Sequence, residues 1–314
     1  MYSIGIDIGA TNTDIGLVRN DGAIIGRANL STQSFDKAEI YIASITEKIR
    51  ELLADHAVTA LDGIGIGAPN GNYLTGCIEA NTANLRIKER IPLGAALGET
   101  FHTKVKLDND ANAAALGEMV YGGAKGMRNF IMLTLGTGVG SGIVIDGKLL
   151  HGAHGAAGEL GHAIVNPNGR LCSCGRKGCI EMYASARGIC QNFREEVQKN
   201  EQSCSLSKEE LETISCKFIG ESAAKGDKAA RKAYDVTAYW LGVTLANAAA
   251  FSEPEAIFLM GGPTRAGEAL MAPLRKYFED NLLFLYKGKI SLQLSQLKSN
   301  ESAILGAAAL SSSI

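Results

Sequence analysis

The sequence contains no apolar stretch long enough to cross a bilayer, and it does not open with a charged segment followed by an apolar one. It also lacks a basic block, because 31 Lys and Arg residues are balanced by 33 Asp and Glu residues, for a net charge of −2. We therefore expect neither a membrane nor a nucleic acid as a partner. Four of the seven cysteines are scattered without the spacing of a disulfide framework. This usage fits a reducing compartment, and we expect a cytoplasmic protein.

The chain, at 314 residues, is long enough for two domains, and its strand pattern occurs twice. A β-rich run at 2–8 leads through a small polar turn to a second run at 15–19, and the turn at 20–22 leads to a third run at 23–30. The same order of strand, glycine turn, strand, Asp-Gly turn and strand returns at 130–150. We predict an antiparallel three-stranded meander at each place, one heading each domain.

Neither of the two glycine turns, 9–13 and 136–140, matches a Rossmann or Walker pattern. The run after the second turn is β-branched rather than helical, and no Gly-x₄-Gly-Lys-Ser/Thr string occurs. Paired hairpins tipped by Gly and Thr are instead similar to the two phosphate-binding loops of the actin and hexokinase-like ATPase fold. Either turn alone is typical of an ordinary hairpin. Together they predict nucleotide-phosphate contacts from Gly9, Ala10, Thr11, Asn12, Gly136, Thr137 and Gly138.

The segment 159–181 concentrates the donors of a metal site. It contains one histidine and three cysteines, which can supply the four nitrogen and sulfur ligands of a closed tetrahedral zinc site: His162, Cys172, Cys174 and Cys179. Gly175 and Gly178 interrupt the cysteines, and they can adopt the positive φ angles that a metal knuckle needs. The alternative is three buried cysteines and a core histidine. The number and spacing of the donors favour zinc.

The whole string, Glu159-Leu-Gly-His162 followed by Gly169-Arg-Leu-Cys-Ser-Cys-Gly-Arg-Lys-Gly-Cys-Ile-Glu181, resembles the signature of the ROK family. The resemblance covers essentially the full length, and the family groups bacterial sugar kinases with related sugar-responsive repressors. It implies that His162 and the three cysteines hold zinc, while Glu159, His162 and Glu181 face the sugar hydroxyls. On the residues alone, solvated surface charge is the ordinary interpretation of both glutamates.

Asp110 lies where a strand at 105–108 ends and a helix begins. On the residues alone it is equally suited to be the N-cap of that helix. The ROK resemblance implies that Asp110 is the general base that accepts the proton of the sugar hydroxyl, with Asn109 beside it as a sugar ligand. We expect the helix N-terminus to lower the pKa of Asp110.

Asp7 is a carboxylate on an otherwise apolar strand, directly before the first glycine turn. Such a group costs free energy unless it meets a cation or hydrogen-bond donors. The resemblance implies that it faces the Mg²⁺ that accompanies ATP; a turn-capping role is the alternative.

Two further segments contribute ligands on the resemblance. Asn84 matches the asparagine-leucine element of the family's sugar loop, and an amide can both donate to and accept from a pyranose hydroxyl. The family usually continues Pro-Gly-Trp, whereas this chain has Arg-Ile-Lys at 86–88. Gly261 and Gly262 follow a predicted strand, where the family places adenosine.

The resemblance implies an α/β fold of the two-domain actin/hexokinase type, with duplicated ribonuclease H-like mixed sheets and an interdomain cleft. We predict a smaller N-terminal domain at 1–116, joined by a C-terminal helix at 301–314. A larger domain at 117–300 would carry the zinc-binding segment. Family members are commonly dimers or tetramers, and on that basis we expect a homodimer or homotetramer.

These observations predict ATP-dependent phosphorylation of a hexose at its 6-hydroxyl, with glucose as the first candidate. N-acetylmannosamine kinase, fructokinase and allose kinase remain alternatives, because the altered segment at 86–88 lies near the sugar. A sugar-responsive repressor is a second class, although the first hairpin begins too early to leave room for the helix-turn-helix such proteins carry. A catalytically silent sugar-binding module is the third.

Overall fold

The computed structural model describes residues 1–82, 85–199, 207–298 and 300–311. Contacts between Cα atoms divide the chain into two compact units. Unit 1 comprises Met1–Arg128, Gly142–Gly158 and Ser295–Ile314, whereas unit 2 comprises Asn129–Ser141 and Glu159–Leu294.

The described residues form twelve strands and ten α-helices. The strands are β1 (Tyr2–Ile8), β2 (Asn12–Arg19), β3 (Ile24–Ser31), β4 (Gly63–Ala68), β5 (Gly71–Asn72), β6 (Cys77–Ile78), β7 (Val105–Asn109), β8 (Phe130–Leu135), β9 (Val139–Ile145), β10 (Lys148–Leu149), β11 (Ala256–Gly261) and β12 (Ser291–Leu294). The helices are α1 (Ala38–Asp55), α2 (Leu93–Phe101), α3 (Asp110–Tyr121), α4 (Glu181–Ala184), α5 (Ala186–Lys199), α6 (Lys208–Thr213), α7 (Cys216–Ala224), α8 (Lys228–Ser252), α9 (Glu268–Asn281) and α10 (Ser302–Ser311).

The first sheet has the strand order β3-β2-β1-β4-β7. β1 pairs antiparallel with β2 and parallel with β4, and β4 pairs parallel with β7. Because β1, β4 and β7 run parallel to one another, their carboxyl ends meet at the same edge of the sheet. This edge carries Asp7 and the start of α3.

Helix α1 covers this sheet through one apolar stripe. Tyr41, Ile45 and Ile49 recur at intervals of four residues, are fully buried and join the core formed by the strand isoleucines. The spacing puts all three on one face of the helix, so their burial fixes α1 against the sheet.

The second sheet repeats the first, with the order β10-β9-β8-β11-β12. Here too an antiparallel hairpin comes first in the chain and parallel strands follow, since β11 pairs parallel with both β8 and β12. The predicted meanders at 2–30 and 130–150, and the structural duplication that they indicate, are confirmed.

Helix α10 approaches the first sheet closely because two strand positions carry no side chain. A Cβ on Gly5 would overlap the carbonyl oxygen of Ile304, and a Cβ on Gly65 would overlap that of Ala307. Gly5 and Gly65 are also partners in adjacent strands. The paired glycines therefore form a groove into which the backbone of α10 fits.

The domain bounds predicted from the sequence, 1–116 with 301–314 and 117–300, differ from the observed units. Helix α3 runs without a break through residue 116 to Tyr121, so the predicted boundary would cut a helix that belongs to unit 1. The segment Gly142–Gly158 also belongs to unit 1. Its first residue, Gly142, packs against the start of α3. A Cβ added to Gly142 would lie 2.6 Å from the carbonyl oxygen of Ala111.

A search of the helices in the described ranges finds none that is both long and apolar enough to cross a membrane.

Candidate active site

The junction of β7 and α3 carries Asn109 and Asp110 in unit 1. Asn109 is the N-cap of α3, and its Oδ1 accepts a hydrogen bond of 2.9 Å from the backbone N–H of Ala111. Asp110 is the first residue of the helix, and its Oδ1 accepts from the same N–H at 2.8 Å. The alternative in which Asp110 is the N-cap is therefore wrong, because Asn109 already fills that position.

The pKa of Asp110 is raised, chiefly because the surrounding protein desolvates the carboxylate. The hydrogen bond from Ala111 acts in the opposite direction but is the weaker influence. The expectation that the helix N-terminus lowers this pKa is thus wrong. Part of the Asp110 side chain is exposed to solvent. The protein packed around the carboxylate nevertheless desolvates it enough to raise its pKa. A carboxylate with a raised pKa is a better proton acceptor.

Asp7 lies at the end of β1 and is partly buried. Burial, together with the negative charges of Asp110 and Asp14, raises its pKa to about 7. Unit 1 thus brings together the two aspartates singled out from the sequence. The causes of this shift are burial and neighbouring carboxylates, with no Lys or Arg among them, so a bound cation would relieve the repulsion.

The first glycine turn follows Asp7 directly. Its backbone is closed by a hydrogen bond of 2.8 Å from the N–H of Gly9 to the carbonyl oxygen of Asn12. Ala10 and Thr11 form the exposed tip. A short hairpin tip of this kind presents backbone N–H groups and a hydroxyl to solvent, as a phosphate-binding loop requires.

The second glycine turn, in unit 2, is closed in a similar manner. The N–H of Gly136 donates to the carbonyl oxygen of Gly138 at 2.9 Å, and Gly136 and Thr137 are exposed. A Cβ at Gly136 would meet no atom within 4 Å. The position next to the Gly136 Cα is therefore open.

Glu181 forms a hydrogen bond with a residue of this second turn. Its Oε2 accepts a hydrogen bond of 3.1 Å from the backbone N–H of Val139. The residue is 8% exposed, so the interpretation of Glu181 as solvated surface charge is wrong. A Cβ on Gly138 would come within 2.5 Å of the same oxygen, so any larger residue at this position would displace the Glu181 side chain.

Arg187 contacts the same turn from the start of α5. Its Nε donates to the carbonyl oxygen of Thr137 at 3.2 Å, and its guanidinium lies 3.8 Å from Glu181. This arginine could not be identified from the sequence, because nothing in the local pattern distinguishes it from other surface cations.

The four candidate metal ligands lie together in unit 2. The donor atoms of His162, Cys172, Cys174 and Cys179 are all within 4.8 Å of one another. The Nδ1 atom of His162 lies 3.7 Å from the sulfur of Cys172. The sulfur atoms of Cys174 and Cys179 are 3.6 Å apart. The alternative of a core histidine and three separately buried cysteines is therefore wrong, since Cys174 is exposed and the donors converge.

The turns around this cluster are those that the glycines predict. Gly175 has φ 84° and Gly178 has φ 77°. A Cβ on Gly178 would also overlap the carbonyl oxygen of Asn166. At Cys174, hydrogen bonds from the backbone and side chain of Arg176 lower the pKa of the thiol to about 6, which favours the thiolate, the form that binds metals.

The remaining candidates occupy different surroundings. Glu159 is exposed and precedes the 3₁₀ turn Leu160–His162, in which the N–H of His162 donates to the carbonyl oxygen of Glu159 at 3.0 Å. Gly261 has φ 109°, and a Cβ there would overlap the carbonyl oxygen of Leu135 on the neighbouring strand. Gly262 has no atom within 4 Å of its Cβ position. Asn84 lies outside the described residues.

Comparison with known proteins agrees with this architecture. A glucokinase from Thermotoga maritima is 34% identical over 308 residues, covering 98% of this chain and 96% of the relative. A glucokinase from Halalkalibacterium halodurans is 36% identical over 287 residues, covering 88% and 85%. The crystal structure of a ROK family glucokinase from Streptomyces griseus, in complex with glucose and AMPPNP, superposes with a TM-score of 0.79 at 32% identity and 99% coverage of both chains.

The predicted α/β fold of the actin/hexokinase type, with duplicated mixed sheets, is confirmed by this likeness and by the matching strand orders. Residues 3–314 match the ROK family. The chain belongs to the ROK family.

Proposed function

We propose that this protein is an ATP-dependent sugar kinase that phosphorylates glucose at its 6-hydroxyl to form glucose 6-phosphate. The observation that carries the proposal is the similarity, over nearly the whole length, to glucokinases, one of which binds glucose and an ATP analogue. The paired glycine turns and the Asp7–Asp110 pair are what such a reaction needs.

Asp110 is the general base of the proposed reaction. The oxygen of the 6-hydroxyl attacks the γ-phosphorus of ATP, the new O–P bond forms as the bond to the bridging oxygen breaks, and ADP leaves. Asp110 takes the hydroxyl proton as the attack proceeds. The raised pKa supports this role, because it brings the proton affinity of the carboxylate closer to that needed near neutral pH.

The phosphates are bound by the two glycine turns, at 9–12 and 136–138, and adenosine by the strand end at Gly261 and Gly262. Asp7 would hold the Mg²⁺ that accompanies the nucleotide, and this cation would supply neutralisation of phosphate charge. Burial and the repulsion from Asp110 and Asp14 raise the pKa of Asp7, which supports this assignment, since a divalent cation would relieve the repulsion.

The sugar ring is held by side chains that can pair with hydroxyl groups: Asn84, Asn109, Glu159, His162 and Glu181. His162 has a second task in this arrangement. If its Nδ1 faces a metal, Nε2 carries the proton and can donate to a sugar oxygen.

We also propose that the His162–Cys cluster holds one structural zinc ion. In a tetrahedral site with Zn–S bonds of about 2.3 Å, two thiolates are about 3.8 Å apart. The observed separation of 3.6 Å between the sulfur atoms of Cys174 and Cys179 fits that geometry. With four protein ligands the site has no open position, so zinc would order the segment 159–181 and take no part in phosphoryl transfer.

Three further proposals rest on the family resemblance and the composition. The protein works in the cytoplasm, its partners are the sugar and ATP, and it forms a homodimer or homotetramer.

The experiment is an assay of ADP release with Mg-ATP against glucose, N-acetylmannosamine, mannose, fructose, allose and N-acetylglucosamine. Asp110→Asn serves as the blank, and Asp55→Asn, an exposed aspartate at the end of α1, is the matched control. We expect the highest rate with glucose, loss of that rate in Asp110→Asn, and full activity in Asp55→Asn.

Other outcomes would select the alternatives. A higher rate with another hexose would replace glucose and retain the mechanism. If no sugar gave turnover above the blank while one of them raised the thermal stability, the protein would be a sugar-binding regulator without catalysis. Normal turnover in Asp110→Asn would overturn the assignment of the base.

A further inference from the structure

Asp108, two residues before the proposed base, is a fully buried carboxylate at the end of β7. Such a group requires hydrogen-bond donors for both of its oxygens. The first oxygen, Oδ1, accepts from the backbone N–H of Asn109 at 2.7 Å and from Nδ2 of Asn112 at 2.8 Å. Asp108 thus ties the end of the strand to the first turn of α3.

His151 satisfies the second oxygen. Its Nε2 lies 2.6 Å from Oδ2 of Asp108, and because a carboxylate only accepts, this nitrogen carries the hydrogen. The imidazole stacks on the ring of Tyr73, with centroids 4.1 Å apart and planes 15° apart. The His151 side chain is 20% exposed and lines a cavity of about 230 Å³ together with Tyr73 and Asp108. The ring is therefore held on its face and at one nitrogen.

The junction that carries Asp110 depends on this contact. Asn109, whose N–H is bound by Asp108, is the cap of α3, and Asp110 follows it immediately. Asn112 is buried, and its Oδ1 has no hydrogen-bond partner in the described residues, so its bond to Asp108 is its polar anchor. Loss of the His151 donor would leave a buried carboxylate oxygen unpaired, and Asp108 would have to rotate toward water to recover a partner. Such a rotation breaks the bonds that set the cap.

We propose that His151 is a positioning residue for phosphoryl transfer, which acts through Asp108 to hold Asn109 and Asp110 in their reactive placement. This inference rests on the proposed function, because it takes Asp110 as the base. In this role His151 acts through Asp108 rather than on a substrate, and its side chain is replaceable by any group that donates a hydrogen bond from the position of Nε2.

Three substitutions test the proposal. His151→Gln retains an amide N–H near the position of Nε2, His151→Asn is too short to reach Asp108, and His151→Leu keeps the volume without a donor. Steady-state kinetics with glucose and Mg-ATP are measured for each, beside Asp110→Asn and the wild-type protein. Thermal unfolding is followed for each variant, so that a loss of fold is separated from a loss of rate.

We expect kcat to fall at least tenfold, and towards about 100-fold, in His151→Asn and His151→Leu, because small displacements of a reacting group have effects of this size. His151→Gln should remain within about threefold of wild type. The KM for Mg-ATP should change by less than about twofold in all three, since the proposed role concerns the placement of the reacting group rather than nucleotide binding. If His151→Leu does not fold, the comparison of the Asn and Gln variants decides.

Several results would overturn the inference. A folded His151→Asn with wild-type kcat would show that the donor is dispensable. Equal losses in the Gln and Asn variants, or a KM for Mg-ATP that rises in step with the fall in kcat, would indicate a general structural role. If Asp110→Asn itself turned over normally, the proposed base and this inference would fall together. If Asp110→Asn were inactive and the His151 variants normal, only the inference would fall.

Discussion

The carboxylate of Glu181 accepts a hydrogen bond from the backbone N–H of Val139, although the two residues are 42 positions apart. The bond links a proposed sugar ligand to the turn proposed to bind phosphate. Both residues belong to unit 2, so the link lies within a single unit. In the proposed function, Glu181 would therefore act on both the sugar and the nucleotide.

We expect Glu181→Ala to raise the KM for both glucose and Mg-ATP, whereas Glu159→Ala should raise the KM for glucose alone. A hydrogen bond to a charged group contributes about 1.5–3 kcal/mol, which corresponds to about 10- to 100-fold in binding. Initial-rate kinetics with each substrate varied in turn measure both constants. Glu181→Gln, which keeps an acceptor oxygen for Val139, is the control and should retain most of the nucleotide affinity. An unchanged KM for Mg-ATP in Glu181→Ala would contradict the link.

Asp7 should make the stability of the ligand-free protein fall with pH. Its pKa is raised from 3.8 to about 7, so the folded state holds the proton more tightly than the unfolded state does. The stabilisation from protonated Asp7 is complete below 3.8 and is lost as the pH rises through about 7. The Asp7→Asn side chain cannot ionise, so this variant retains the stabilisation at every pH.

The difference in Tm between Asp7→Asn and wild type should therefore increase from pH 5 to pH 8. Asp36→Asn, at an exposed position, is the matched control and should show no such trend. Addition of a Mg-nucleotide should stabilise the wild type at pH 8 more than it stabilises Asp7→Asn, if Asp7 holds the cation. A Tm difference that is the same at both pH values would refute the prediction.

The metal proposal predicts about one equivalent of zinc per chain, and removal of zinc should lower the Tm. Cys179→Ser should lose the metal, because it deletes one of four ligands. Cys190→Ser changes a buried cysteine outside the cluster and should retain it. Elemental analysis and thermal unfolding measure the two effects. Protein that is folded and active without any metal would exclude the site.

Gly65→Ala should destabilise unit 1 by about 3 kcal/mol or more. The added methyl group would overlap backbone atoms of α10, which cannot move aside as a flexible side chain could. Gly98→Ala, on α2, brings its Cβ no closer than 3.6 Å to another residue, and should be neutral or stabilising by up to about 1 kcal/mol. Denaturant unfolding of both variants measures the difference. Equal stability of the two would show that α10 does not depend on the glycine groove.

Much of the fold could be predicted from local pattern. The hairpins at 2–30 and 130–150 follow from turn residues placed between β-rich runs, and these signals lie within a few residues of the structure they specify. The cluster of His162 and three cysteines was predictable for the same reason. Its ligands lie within one short segment, and its glycine turns have the positive φ angles expected from sequence.

The domain bounds and the contacts of individual acidic residues were harder to predict from the sequence. The segment Gly142–Gly158 belongs to unit 1 because of what it touches after folding, which no local pattern reveals. His151 and Asp108 are 43 residues apart, and each is unremarkable alone. A histidine in a glycine-rich run was the signal available for that pair, and it does not specify a partner.

The sequence by itself determined the duplicated hairpin order, the positions of the glycine turns and the candidate metal-ligand set, since each depends on the conformational preferences and chemistry of neighbouring residues. Only the tertiary structure decided that Asn109 rather than Asp110 caps α3, and that Glu181 is buried against the second turn. It alone decided that the pKa values of Asp7 and Asp110 are raised. Desolvation and charge repulsion depend on which distant segments pack around a group, and that arrangement exists only after the chain has folded.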